Sequence, residues 1–204
     1  MQSRTSLVLA AGSLLLVIAA IAGYHADMAA GHFLERRWMA AVGLEVLFGA
    51  MAAAGALVAM AKGRWWISPK PAAYRGQAFV NAPAAAFIAG MLAYLIVYPP
   101  TPWVFYTMIG MAFVFGAMLT MPMDAADAPA AVALLNAATG LAAAAAGFAN
   151  RNGVLVMAGA LLAAAGFTLS IVARTPVQQS PFRALLRAFS EPTQTPGGPP
   201  ANWD

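Results

Sequence analysis

Of the chain's 204 residues, 62% are apolar and only 9% charged, against about a quarter charged in a water-soluble domain, so a soluble globule is excluded and lipid must be the main solvent. The net charge of +4 comes from eleven basic residues against seven acidic ones, and the basic residues are scattered between apolar stretches, which sets topology and offers no nucleic-acid patch. With no cysteine, disulfides, thiolate metal sites and cysteine nucleophiles are excluded as well.

A bilayer core about 30 Å thick takes roughly 20 apolar residues of helix. Six stretches meet that length: Ser6–Tyr24, Trp38–Ala61, Gln77–Tyr98, Trp103–Met121, Pro129–Phe148 and Val154–Ala173. They are continuously apolar, without the period-two alternation of barrel strands. The expected fold is therefore all-α, an integral membrane bundle of about six transmembrane helices over residues 1–173.

The first span also has features of a secretory signal peptide, with Arg4 ahead of an apolar run that ends in Ala-rich sequence. It is long for the apolar core of such a peptide, and a retained helix is expected. The loop after it carries His25, Asp27, His32 and Glu35. Their spacing matches no strong metal motif, so solvation is expected over ligation. Glu45, early in the second span, is the only carboxylate inside a predicted helix. It either snorkels to the nearby boundary, the favoured reading, or has a function. Trp65 and Trp66 follow this span as interfacial anchors, and Tyr98, Trp103 and Tyr106 flank the third hairpin. Between the third and fourth spans, Pro99-Pro100-Thr101-Pro102 makes a stiff turn and a tight hairpin.

The fifth and sixth spans are built from Ala and Gly. Gly140, Ala144 and Gly147 recur at small-residue spacing, as do Gly159, Ala163 and Gly166. Lipid supplies no hydrophobic force between helices, so close backbone approach at small residues provides the packing. These two helices should form the tightest contact of the bundle, or a face for another subunit. Polar groups at membrane depth face protein or water. Asn136 lies near the middle of the fifth span, with Thr139 on the same face three residues on. Asn136 makes either an interhelical hydrogen bond or part of a proton or water relay. Asp127, just before this helix, either caps its free N–H groups or acts at the membrane surface.

Beyond Ala173, Phe182, Leu185, Leu186 and Phe189 alternate with Arg183 and Arg187. That pattern suits a short interfacial helix within a cytoplasmic tail over residues 174–204. The Pro- and Gly-rich end, Glu191–Asp204, should be disordered alone or held by a partner. Loop charges give the orientation. With the N-terminus inside, Arg4, Lys62, Arg64, Lys70, Arg75, Arg174, Arg183 and Arg187 are cytoplasmic, against Arg36, Arg37 and Arg151 outside. The positive-inside bias thus predicts both termini in the cytoplasm.

Several signatures of catalysis are missing. There is no G-x-G-x-x-G fingerprint, no P-loop and no Ser-His-Asp arrangement. Both histidines fall outside the predicted spans, which argues against haem ligation within the membrane.

The residues Ala126-Asp127-Ala128-Pro129, Leu134-Leu135-Asn136, Ala142–Phe148 and Gly159-Ala160-Leu161 stand in an order and spacing that resembles the membrane domain of the beta subunit of proton-translocating NAD(P) transhydrogenase. Upstream, Phe48-Gly49-Ala50 through Lys62-Gly63, and Ile67-Ser68-Pro69-Lys70-Pro71, resemble an earlier helix and its G-K-P loop. The resemblance covers most of residues 45–173. It implies that Asn136 matches a membrane Asn associated with the proton pathway, and Asp127 an acidic residue at the membrane–cytoplasm junction. It also implies a cytoplasmic NADP(H)-binding domain after the last helix, where about thirty residues follow here, so the chain is not expected to catalyse alone. The Met of the family's A-D-M-P turn is Ala128, its helix bearing a proton-path His has no counterpart, and serines of the small-residue helices are mostly Ala. The remaining polar relay is Asn136, Thr139, Thr168 and Ser170.

Two functional expectations follow. In the first, favoured by the thinned relay, the chain is a non-catalytic accessory subunit that reuses this scaffold in a respiratory or photosynthetic complex. In the second it is the proton-conducting membrane part of a split transhydrogenase, using Asn136, Asp127, Thr139 and Ser170. In either case no cofactor is expected on this chain, and NAD(P) enters only through partner chains. The expected setting is a bacterial inner membrane, among lipids and other membrane subunits.

Overall fold

The computed structural model describes residues 2–31, 35–68, 77–123 and 128–173. They form six helices: α1 (Gln2–Ala29), α2 (Arg36–Gly63), α3 (Gln77–Val97), α4 (Pro102–Thr120), α5 (Ala128–Ala149) and α6 (Gly153–Val172). Each is long and apolar enough to cross a membrane, and no strand occurs among the described residues. The tail over residues 174–204, with its interfacial-helix expectation, lies outside the described residues.

The termini of these helices follow local chemistry. Pro102 stands in the first turn of α4, where its missing N–H removes no helical hydrogen bond. Asn152 caps α6 by accepting the Leu155 N–H at 3.1 Å. α2 and α5 end in the same way. The Trp66 N–H reaches Ala61 O and the Trp65 N–H reaches Lys62 O. At the other end of the bundle the Asn152 N–H reaches Gly147 O and the Arg151 N–H reaches Phe148 O. Both are Schellman closures, which need a left-handed residue and usually take glycine. Here Trp65 (φ 61°) and Arg151 (φ 52°) occupy those positions. A side chain there costs roughly 1–2 kcal/mol. Arg151→Gly should therefore raise stability by about 1 kcal/mol, read as a higher unfolding midpoint in mild detergent.

The first helix departs from expectation. α1 continues to Ala29, so His25 and Asp27 are on a helix and not in a loop. Gly23 keeps helical backbone, and the chain first turns to positive φ at Gly31, with φ 67°. The added turn also finds partners: the His25 ring meets the Tyr106 hydroxyl, and Tyr24 stacks on Phe105 at 4.3 Å between centroids. The Tyr24 hydroxyl donates to Pro99 O at 3.1 Å. Together these contacts tie the end of α1 to the α3–α4 hairpin.

The most buried helix is α2. It touches α1, α5, α4 and α3, whereas α6 packs mainly on α5. Its own sequence explains this position. Ala50, Ala52, Ala53 and Ala56 are fully buried, and small side chains let four neighbours approach one rod. Glycines mark the crossings. A Cβ on Gly49 would press on Val17 of α1, one on Gly55 on Leu135 of α5, and Gly116 of α4 lies against the Met51 backbone. The larger apolar core fills the α1–α4 side with Val17, Tyr24, Met39, Val46, Leu95, Phe105 and Met108. Outward, α3 and α6 show Phe79, Phe87, Val154, Met157, Leu161 and Phe167, as lipid-facing surfaces do.

Candidate functional site

The small-residue stripe is the most clearly built feature. Gly140 lies against the Ala163 backbone, and Gly159 against the Ala144 backbone. A Cβ on Gly147 would come within 2.5 Å of Val156 N, and one on Gly166 within 2.6 Å of Ala137 N. All four glycines singled out by spacing therefore share one interface, where α5 and α6 touch backbone to backbone. No other helix pair in the bundle is in such extensive contact.

The polar candidates divide. Thr139 is buried and its hydroxyl donates to Leu135 O at 3.0 Å. With that proton committed, the Ser13 hydroxyl of α1 is the donor across the 2.8 Å contact between Ser13 Oγ and Thr139 Oγ1. Asn136, one turn earlier, is half-buried, and among the described residues no interhelical hydrogen bond reaches its side chain. The interhelical hydrogen bond of this helix face, to α1, is made by Thr139. On α6, Ser170 is buried but donates to Phe167 O at 2.9 Å, and the exposed Thr168 donates to Ala164 O at 2.8 Å. Both satisfy themselves on their own helix, so neither joins the Ser13–Thr139 pair. Asp127 and His32 lie outside the described residues, and Glu35 is exposed.

Glu45 corrects an expectation. It does not snorkel but is 2% exposed, because it projects from the most enclosed face of the central helix. Further buried polar groups are Ser6, Ser13, Asn81 and Thr120, all passed over in the sequence. A signal for two of them was present. Ser6, Ala10, Ser13, Val17, Ala20 and Tyr24 recur at intervals of three and four, and all are buried, so they form one helix face. At one end of the bundle, Lys62 donates to the carbonyls of Met121 and Met123. This satisfies free C=O groups at the end of α4 with a cation, as the helix dipole favours.

The comparisons with known proteins agree with this architecture. A sequence model described as NAD(P) transhydrogenase beta subunit matches residues 2–200. The chain belongs to the NAD(P) transhydrogenase beta subunit family. The match extends the likeness over α1, before residue 45, and beyond α6. Among curated relatives, an NAD(P) transhydrogenase subunit beta of Rhodospirillum rubrum is 34% identical over 85 residues, 42% of this chain and 18% of the relative. An identically named protein from a designated strain of that species gives the same figures. The alignment thus spans under a fifth of the curated relatives' length. This transhydrogenase-beta-like chain is a multi-pass membrane protein in contact with lipid, with the small-residue α5–α6 seam and the buried Ser13–Thr139 pair as its most defined internal features.

Proposed function

We propose that this chain is the proton-conducting membrane part of a transhydrogenase-type assembly. The observation that supports the reading best is the buried polar set around the α1–α2–α5 seam: Glu45, Ser13 and Thr139, in a chain of this family. Proton movement through a bundle needs ionisable or hydroxyl groups facing its interior. The thinned relay on α5 and α6 argued for a passive scaffold. The interior hydroxyls of α1 and the carboxyl of α2 restore part of what those helices lack. The scaffold reading keeps one specific support, the hydroxyls of α6, which among the described residues bond only carbonyls of their own helix. In this proposal the membrane is a bacterial inner membrane and both termini are cytoplasmic.

The test is a mild-detergent pull-down of the tagged chain from native membranes, followed by proton-movement assays on the recovered complex. Nucleotide-binding transhydrogenase chains should co-purify, and Asn136→Ala and Asp127→Ala should each lower coupled proton movement. Recovery of respiratory or photosynthetic subunits instead, with both variants fully active, would establish the accessory scaffold.

A further inference from the structure

Among the described residues, Glu45 is the only buried acidic or basic side chain, and no hydrogen bond or ion pair within them reaches its carboxyl. It stands one turn before Gly49 on the same face of α2. A Cβ on Gly49 would meet Val17 Cγ2 and Ser13 O of α1 and the Ala142 methyl of α5. Glu45 therefore stands on the α2 face that meets α1 and α5, about one turn from the level of Ser13. Among the described residues no charged group is bonded to it. On α1, Arg4 is exposed, Tyr24 is bonded to Pro99, His25 to Tyr106, and Asp27 has a partner of its own. On α2, Arg36 and Arg37 are exposed, as is Arg64 just after it, and Lys62 holds the Met121 and Met123 carbonyls. α3 offers only the exposed Tyr94, the turn after it the exposed Tyr98, α4 only Tyr106, and α5 no ionisable group.

An ionised carboxylate without water or counter-charge is very unfavourable in such a place. The group needs a bound cation or a proton. The surrounding positions are small and apolar, with Val17, Ala20, Ala142 and Ala146 buried along the seam. They supply no cage of oxygens of the kind a metal ion requires.

We propose that Glu45 is an exchangeable proton-binding site inside the membrane, reached along the Ser13–Thr139 side of the seam. Loading forms one O–H bond on the carboxylate from an incoming proton, and release breaks it, with no electron transferred. Its purpose rests on the proton-conducting reading above, but the site can be measured without nucleotides.

The experiment is infrared spectroscopy of the full chain in lipid vesicles at neutral pH, in H2O and after transfer to D2O. A protonated carboxylic acid carbonyl stretch is expected that shifts in D2O and is missing in Glu45→Gln. Ser13→Ala with Thr139→Val should slow the shift about tenfold, the rate equivalent of about 1.4 kcal/mol. A hydrophobic carbodiimide, which reacts with protonated carboxyls, should label Glu45 of the unaltered protein, so the test survives a Gln variant that misfolds. No such band, a band that persists in Glu45→Gln, or a band that never shifts in D2O each overturns the site. If the band exchanges as expected but the assembled complex moves no protons, the site stands and the transhydrogenase reading falls. If the complex moves protons while the band is absent, the reading stands and the site falls.

Discussion

Gly166→Leu should unseat α6 from α5 and destabilise the bundle by about 3 kcal/mol or more, at the upper end of overpacking penalties. The cause is geometric. A single Cβ at this position would already lie 2.7 Å from Ala133 O and 2.6 Å from Ala137 N, and a backbone cannot rotate away as a side chain can. The remedy open to the protein is to move α6 outward, which opens the stripe at Gly140, Gly147 and Gly159 together. Since α6 packs mainly on α5, little else holds it. Thermal unfolding in mild detergent reads the effect, with Ala160→Leu as the control on the same helix. Ala160 is exposed, so a leucine there meets lipid and should leave the midpoint nearly unchanged. Equal loss in both variants would show that the α5–α6 seam is not the determinant.

A comparable loss is expected from Gly116→Leu, at the crossing of α4 and α2. A Cβ on Gly116 would lie 2.7 Å from Met51 Cα and 2.8 Å from its carbonyl carbon. This contact faces the central helix, so displacing α4 also disturbs the Tyr24–Phe105 stack and the core around Met108. Gly110→Leu is the matched control, six residues earlier on the same helix with no atom near its Cβ. The expected result is a lower unfolding midpoint and weaker near-ultraviolet dichroism for Gly116→Leu alone. If the two variants unfold alike, close approach at this crossing does not hold the bundle together.

The α5–α6 seam could be read directly from the chain because its signal is local. Small residues recurring at helical spacing in two adjacent apolar spans can do little else in lipid than pack together, and Gly140, Gly147, Gly159 and Gly166 are all found there. The hydroxyl pair could not be read in the same way. Thr139 and Ser13 are 126 residues apart, and their meeting depends on α1 and α5 flanking the same helix. Asn136 looked the stronger candidate because amides are rarer and more costly in membranes than hydroxyls. The rotation of α5 leaves Asn136 half-buried and turns Thr139 inward.

Glu45 shows where linear reasoning stops. Nine residues into its helix, a carboxyl can reach a nearby boundary if its face meets lipid, or must remain inside if its face meets other helices. Only the neighbours distinguish these outcomes, and four of them surround α2. The end of α1 is a milder case. The apolar pattern fades near Tyr24, so hydropathy places the boundary there. The helix continues because backbone hydrogen bonding is cooperative and because Tyr24 and His25 find Phe105, Pro99 and Tyr106.

By itself the sequence determined that this protein lives in a membrane, as six apolar helices with one glycine–alanine seam, since length, hydropathy and helical spacing are properties of single segments. Which helix became the centre, which hydroxyls met across it and which carboxyl lost its water were decided only by the tertiary structure. Burial belongs to the arrangement of all the helices at once, and no segment carries it alone.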